Sequence, residues 1–320
     1  MPRILYVLFT GGRIRGGHKM IVRHVQALRG LGFNAGLYTD RPEVLPDWLG
    51  AAGLVTADPS VRPGDVLVVP DDAYGMFRHL AGQPPGRTIV FNQAYTVGLS
   101  LELIDALPIE GPLTFISVGP RLAETVRRAF PQARVELVPC FADERLFTPR
   151  AEPPDWAVAY TPMKRAAEAP VIRGFFGRFH PRHADLHWRE LTDRPEAEVA
   201  ATFAASRLFL SLPRAESVGI TALEAMACGA LCAGYTGVGG LQYATPENGF
   251  WAPDDDFTAA ADALAEAADL ARAGGRRLAA MLDAGRETAA QWSYARFLAA
   301  LEETWMRLAP QARVKAGPVA

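Results

Sequence analysis

Hydrophobic residues in the first half of the chain fall into short continuous runs, beginning with residues 4–9 and 66–69. Glycines or polar residues end each run, which is typical of strands buried on both faces of a parallel sheet. Residues 19–31 carry apolar side chains at helical spacing and end near Gly30 and Gly32. Further strand-like runs occupy residues 35–39, 88–91, 113–116 and 135–138. Strands that alternate with helices predict a doubly wound α/β sheet.

Residues 147–154 interrupt this pattern with three prolines in eight positions, which predicts an interdomain linker. The alternation then restarts, and residues 255–308 are Ala-rich with helical spacing. The restarted strand-like runs occupy residues 157–160, 186–191, 208–212 and 231–235. We therefore predict two Rossmann-like domains, residues 1–150 and 151–320. Ligands of such sheets bind at the carboxyl ends of the strands, so a cleft between the domains is the expected site.

The charge balance excludes one class of partner. The chain has 33 Lys and Arg against 35 Asp and Glu, a formal net charge of -2, whereas nucleic-acid-binding domains carry a clear basic excess. No apolar run approaches the roughly 18–20 residues of a membrane helix, and the N-terminal run is too short for a signal peptide. Three cysteines in apolar segments, Cys140, Cys228 and Cys232, predict reduced and buried thiols. These features together predict a cytoplasmic protein.

The richest chemistry follows the strand at 208–212. Glu216 lies in a tight loop after it, and Glu224 lies within the helix predicted over 218–228. A carboxylate can accept two hydrogen bonds from a sugar diol, and a helix N-terminus favours a diphosphate. Gly219 lets the backbone approach a ligand closely. The alternative interpretation is a loop charge at Glu216 and a partly exposed helix residue at Glu224.

The string from Glu216 to Gly229, ESVGITALEAMACG, resembles the signature of the retaining glycosyltransferases of family 4, which have the two-domain GT-B fold. That signature has two glutamates separated by seven residues and followed by Ala-Met-Ala-x-Gly. Residues 239–240, 248–250 and 138–149 also resemble the family's pattern. The resemblance implies a GT-B fold with a C-terminal helix that returns to the first domain.

The resemblance implies roles for the residues of this loop and helix. Glu216 would accept hydrogen bonds from the hydroxyls of the donor sugar, and Glu224 would hold the ribose of the nucleotide. The turn formed by Ser217, Val218 and Gly219 would place backbone N–H groups near the sugar and the diphosphate.

Cations and glycines elsewhere would contact the diphosphate. Lys164 matches the family's lysine, and Arg165 would take the arginine's role from the next position, because Met163 stands where the arginine is expected. Together they would stabilise the leaving group. Gly16 and Gly17, in the loop after the first strand, would touch the donor phosphates.

Other positions depart from the family's pattern. Gln93 stands where many members carry a histidine near the reacting carbon, and an amide can hydrogen-bond a hydroxyl but cannot carry charge. Gln242 stands where many members carry a glutamate. Gly11 and Gly12 would shape the same loop as the first-domain glycine pair.

The implied reaction transfers a hexose, with retained anomeric configuration, from a UDP- or GDP-sugar to a sugar, lipid-linked or small-molecule acceptor. It needs no cofactor and no metal. The alternatives are a non-catalytic nucleotide-sugar-binding homologue and, on the same fold, an epimerase or a phosphorylase, whose required groups the sequence lacks. A basic helix face at 121–128 allows a peripheral membrane contact, although a solvated face is favoured. The histidines at 180, 183 and 187 are predicted to lie on the surface, and residues 254–256 to cap a helix.

Overall fold

A computed structural model describes residues 1–10, 14–58 and 60–314, so the predictions for Gly11 and Gly12 lie outside the described residues. The chain divides into two compact units. Unit 1 comprises Met1–Pro139 and the residues from Phe297 onward, and unit 2 comprises Cys140–Arg296. The division after Pro139 precedes the boundary predicted at residue 150.

Unit 1 is built on a parallel sheet of strand order β2-β1-β3-β4-β5-β6. The strands are β1 (Ile4–Val7), β2 (Ala35–Tyr38), β3 (Val66–Pro70), β4 (Arg87–Asn92), β5 (Thr114–Ser117) and β6 (Arg134–Leu137). The connecting helices are α1 (Gly16–Gly30), α2 (Tyr74–Ala81), α3 (Leu101–Asp105) and α4 (Pro120–Ala129). All residues of β1 and β3 are buried, which explains their continuous apolar sequence.

Unit 2 contains a second parallel sheet, of strand order β11-β10-β9-β7-β8. The strands are β7 (Asp155–Tyr160), β8 (His187–Glu190), β9 (Ser206–Ser211), β10 (Leu231–Tyr235) and β11 (Gly249–Ala252). The helices are α5 (Glu168–Phe179), α6 (Glu196–Ala204), α7 (Ile220–Ala227), α8 (Gly237–Gly240), α9 (Phe257–Ala273) and α10 (Gly275–Ala290). Asp256 caps α9 by accepting a hydrogen bond from the Ala259 N–H, as the capping prediction required.

The last helix, α11 (Tyr294–Leu308), packs on the first sheet for most of its length. Its Phe297 and Trp305 side chains are fully buried. The Trp305 ring lies 6.2 Å from the ring of Tyr6 on β1, and the Phe297 ring lies 5.0 Å from that of His24 on α1. The predicted return of the C-terminal helix to the first domain is therefore confirmed.

The surface prediction for the histidines is wrong at His183, which is only 1% exposed. The turn after α5 directs this imidazole inward, where it stacks on Phe176 and its Nε2 lies 3.0 Å from Asp269 Oδ1. Burial lowers the pKa of His183. The prediction of reduced, buried thiols is confirmed for Cys140, Cys228 and Cys232, none of which forms a disulfide. Within the ranges that the structure describes, no helix has the length and apolarity needed to cross a membrane.

Candidate active site

The loop between β9 and α7 carries the predicted donor-binding residues of unit 2. The helix begins at Ile220, later than the predicted start at Val218. The cause is Gly219, whose φ of +74° places it in the left-handed region that side chains disfavour. A Cβ at this position would also lie 3.3 Å from the hydroxyl oxygen of Tyr243. Residues 213–219, hereafter the donor loop, therefore precede the helix as a separate segment.

The short helix α8 holds the donor loop by close backbone packing. A Cβ at Gly239 would lie 2.5–2.7 Å from backbone atoms of Val218, closer than real Cβ atoms approach. Because backbone cannot move aside as a flexible side chain can, only glycine allows this contact. Gly239, the first of the paired glycines, thus has a structural reason that the sequence resemblance did not supply.

We expect Gly239→Ala to lower the free energy of unfolding by about 1–3 kcal/mol, because the added methyl overpacks the contact with Val218. Gly174→Ala is the matched control, because Gly174 lies within α5 with no atom within 4 Å of an added Cβ. It should raise stability by about 0.5–1 kcal/mol through helix propensity. Urea unfolding of both variants checks the prediction, and equal stabilities would contradict it.

Two side chains that follow α8 also hold the donor loop. The Gln242 Nε2 donates to the carbonyl oxygens of Ser217, at 2.8 Å, and Gly239, at 3.0 Å. The Tyr243 hydroxyl donates to the Gly219 carbonyl at 2.7 Å, and burial raises the pKa of Tyr243 well above its usual value, so it remains a donor. A glutamate at position 242 could not donate when ionised. The departure at Gln242 therefore has a structural consequence, since it lets this residue bind two carbonyls.

Glu216 and Lys164 form an ion pair. The Lys164 Nζ lies 3.0 Å from Glu216 Oε1, and Glu216 Oε2 accepts a 2.6 Å hydrogen bond from the Arg214 backbone N–H. Both side chains are partly exposed, 28% for Glu216 and 49% for Lys164. Lys164 follows β7 and Glu216 follows β9, which are neighbours in the sheet. The structure thus brings together these two predicted site residues at the carboxyl edge of unit 2's sheet.

Arg165 lies directly beneath the donor loop and is only 2% exposed. Its Nε donates to the Pro213 carbonyl at 2.8 Å, and its Nη1 donates to the carboxylates of Glu168 and Asp255. The guanidinium also lies 4.5 Å from the centre of the Tyr235 ring. Burial opposes the charge, but the two carboxylates outweigh it and raise the pKa of Arg165. To make the predicted contact with a diphosphate, Arg165 would have to exchange some of these hydrogen bonds for bonds to phosphate oxygens.

Sequence reasoning missed Arg214, a cation on the donor loop. Its side chain is 54% exposed, with Nη1 3.5 Å from Glu168 and Nη2 3.8 Å from Asp255. It therefore shares both carboxylates with Arg165, at longer distances. The sequence feature that could have identified Arg214 is its position near Glu216, in a loop that follows a strand.

Glu224 lies in the second turn of α7 and is 5% exposed. The alternative interpretation of a partly exposed helix residue is therefore wrong for Glu224. Acidic side chains are seldom buried without a function or a partner. Burial, with a smaller effect from the charge of Glu224, raises the pKa of Cys228 to about 12, so this thiol stays protonated at neutral pH.

Unit 1 brings together the remaining predicted residues. Helix α1 begins at Gly16, and the carbonyl of Gly17 accepts a 3.0 Å hydrogen bond from the Gln93 Nε2. A Cβ at Gly17 would lie 3.2 Å from Gln93 Oε1, whereas one at Gly16 would meet no atom within 4 Å. Gln93 follows β4, so its side chain joins the carboxyl edge of the sheet to the first turn of α1.

Asp71, a second residue that sequence reasoning missed, lies behind Gln93. It directly follows β3 and is 1% exposed. Its Oδ2 accepts hydrogen bonds from the Asn92 side chain and from the backbone N–H groups of Gln93 and Ala94. Burial raises the pKa of Asp71 to about 7. The sequence feature that could have identified Asp71 is an acidic residue at the end of an apolar run.

Across residues 1–10, 14–58 and 60–314, His, Cys, Asp and Glu side chains form no group of three that could hold a metal ion.

Comparison with known proteins finds a family match in this part of the chain. The family model described as glycosyl transferases group 1 matches residues 175–269, which include the donor loop and α7. The chain is 22% identical over 279 residues to the alpha-1,6-glucosyltransferase of Actinobacillus pleuropneumoniae serotype 7 (strain AP76), which covers 83% of each chain.

Solved structures share the fold over nearly the full length. Sucrose-phosphate synthase from Thermosynechococcus elongatus matches with a TM-score of 0.70 at 15% identity, covering 97% of this chain and 100% of the other. Anabaena Alr3699/HepE in complex with UDP matches with a TM-score of 0.66 at 11% identity, covering 96% and 100%. The chain thus has the GT-B fold, and its residues 175–269 are similar to the group 1 glycosyltransferases.

Proposed function

We propose that this glycosyltransferase transfers a hexose from a UDP- or GDP-sugar, with retention of the anomeric configuration, to a sugar, lipid-linked or small-molecule acceptor. The ion pair of Lys164 with Glu216 carries the proposal, because it places an ammonium 3.0 Å from a carboxylate that lies within the segment matching the family model. The structure of Alr3699/HepE contains UDP, which supports a nucleotide sugar as the donor class.

The donor's sugar and nucleoside are assigned to different parts of the loop and helix. Glu216 accepts hydrogen bonds from the hexose hydroxyls, for which its partly exposed carboxylate is suited. Glu224 holds the ribose. The backbone N–H groups of Ser217, Val218 and Gly219, together with the N-terminus of α7, stabilise the diphosphate.

The leaving diphosphate develops negative charge as the glycosidic bond breaks. Lys164 is the cation assigned to it, and Arg165 contributes positive charge from beneath the donor loop. Retention without a covalent intermediate follows from attack on the same face that the diphosphate leaves, with a diphosphate oxygen taking the acceptor's proton. Gln93, Gly16 and Gly17 in unit 1 keep their predicted roles, a sugar contact for the amide and phosphate contacts for the glycines.

We also propose that the reaction is metal independent and takes place in the cytoplasm. The cations Lys164 and Arg165 supply the charge that a metal would otherwise contribute. Addition of EDTA should therefore leave the rate of transfer unchanged, and a rate restored only by Mg²⁺ or Mn²⁺ would contradict this part of the proposal.

Thermal unfolding with a panel of UDP-glucose, UDP-N-acetylglucosamine and GDP-mannose tests donor binding. A donor present at 100 times its Kd adds about 2.7 kcal/mol to the stability of the native state. We expect one donor to raise the unfolding temperature of the wild type and to lose this effect in Glu224→Gln. The matched control is Glu198→Gln, which removes an exposed carboxylate on α6 of the same unit.

Release of free nucleotide separates the enzyme from the non-catalytic alternative. A transferase releases UDP or GDP from its donor when an acceptor is supplied, and more slowly to water. Donor binding with no nucleotide release under any acceptor would support the binding homologue instead. The absence of a shift with every donor would contradict both.

A further inference from the structure

The carboxyl edge of unit 1's sheet contains a buried acid that the proposed reaction does not use. Asp71 Oδ2 accepts three hydrogen bonds, from Asn92 Nδ2 at 2.8 Å, Ala94 N at 3.0 Å and Gln93 N at 3.3 Å. The Ser100 hydroxyl donates to the Asp71 backbone carbonyl at 2.7 Å. One carboxylate oxygen therefore binds the side chain of Asn92, the last residue of β4, and the backbone N–H groups of the next two residues.

The network continues from Asp71 to the first turn of α1. The Asn92 side chain is held at both ends, because its Oδ1 also accepts a 3.1 Å hydrogen bond from the Ser117 hydroxyl on β5. Gln93, whose N–H is bound by Asp71, donates through its side chain to the Gly17 carbonyl at 3.0 Å. The position of the Gln93 amide therefore depends on the segment that Asp71 fixes.

The charge state of Asp71 affects the strength of these bonds. Burial is the largest influence and raises the pKa of this carboxyl to about 7, the three hydrogen-bond donors oppose it, and the exposed carboxylate of Asp72 adds a smaller repulsion. An ionised carboxylate accepts stronger hydrogen bonds than a neutral one. Residues 92–94 should therefore be held more tightly as Asp71 loses its proton.

We propose that Asp71 is a positioning residue of the transferase, whose ionised carboxylate fixes residues 92–94 so that Gln93 is seated against Gly17. The inference rests on the proposed function, which assigns Gln93 and Gly17 to substrate. Asp71 itself is buried and acts through Gln93, so it affects the substrate contacts that unit 1 makes.

Amide hydrogen exchange of the intact protein at pH 6 and pH 8 tests the positioning directly. After correction for intrinsic exchange, peptides covering residues 92–94 should be about fivefold better protected at pH 8 in the wild type. Asp71→Asn keeps an acceptor oxygen and loses the charge, so its protection there should not change with pH. The matched control Asp72→Asn removes the adjacent exposed carboxylate and should behave as the wild type.

Equal protection at both pH values in the wild type, or the same pH dependence in Asp71→Asn, would overturn the inference. Protection elsewhere in unit 1 reports whether each variant is folded. Exchange requires no substrate, so it decides the role of Asp71 even if no nucleotide sugar binds and the proposed function fails.

The rate of nucleotide release from the donor provides the functional readout. We expect the rate to rise with pH through about pH 7 in the wild type and in Asp72→Asn. In Asp71→Asn this rising limb of the pH profile should be absent. The donor's thermal shift should be equal in the wild type and in Asp72→Asn. A purely structural role for Asp71 would lower the rate without removing the limb, and that result would contradict the proposal.

Discussion

Glu216→Gln is expected to lower the turnover of the nucleotide sugar by about 10- to 100-fold, because it removes one charged hydrogen bond to the transferring hexose. The amide oxygen can still accept the 2.6 Å hydrogen bond from the Arg214 N–H, so the donor loop should keep its conformation. What disappears is the negative charge opposite Lys164. Initial rates of nucleotide release, measured with the donor found by thermal shift, check this expectation.

Two further variants make the result specific. Glu198→Gln, whose carboxylate is exposed on α6 and lies 3.6 Å from Arg194, should retain the wild-type rate. Lys164→Met combined with Glu216→Gln forms a double-mutant cycle, and a joint effect smaller than the sum of the single effects is expected because the two side chains are in contact. A rate for Glu216→Gln within twofold of the wild type would remove this residue from the reaction.

The alternation of elements was readable from the sequence because parallel strands buried on both faces must be continuously apolar. The runs at residues 4–9, 66–69 and 208–212 each overlap a strand of the structure. The ends of elements were less predictable. The start of α7 depends on the left-handed backbone of Gly219, and a glycine's sequence position does not reveal its φ.

Burial of polar side chains was the part that the sequence could not predict. Arg165 and His183 are buried because α5 and the turn after it pack over unit 2's sheet, which brings Asp255 and Asp269 to them from distant positions in the chain. Asp71 is buried because β4 and its following loop cover it. Each of these contacts joins residues far apart in sequence, so no local pattern predicts them. The placement of Glu216 and Glu224 on one loop and the helix that follows it was predictable, because the two residues are close in sequence.

Arg165→Met is expected to lower the free energy of unfolding by about 3 kcal/mol, because it leaves the Glu168 carboxylate and the Pro213 carbonyl without their buried cation. Methionine fills a similar volume, so the loss measures the polar contacts more than a cavity. Arg214→Met is the matched control, because Arg214 faces the same two carboxylates at 3.5 and 3.8 Å while 54% exposed. It should cost less than about 1 kcal/mol. Urea unfolding at pH 7 gives both values, and equal losses would contradict the burial argument.

The stabilisation by Arg165 should depend on pH. The hydrogen bond from Arg165 lowers the pKa of Asp255, so the stability that this contact contributes is present at neutral pH and disappears as the pH falls below the ordinary range of a carboxylate. The difference in unfolding free energy between the wild type and Arg165→Met should therefore become smaller in acid.

A lysine at position 165 separates the two roles that Arg165 can have, in holding the donor loop and in contacting the diphosphate. Arg165→Lys keeps the charge but lacks the planar guanidinium that reaches Pro213 and both carboxylates at once. If Arg165 acts only by holding the donor loop, the stability of Arg165→Lys should fall. The loss of donor affinity should then appear in Lys164→Met. If it contacts the diphosphate directly, as the family resemblance implies, Arg165→Lys retains most of the donor affinity that Arg165→Met loses.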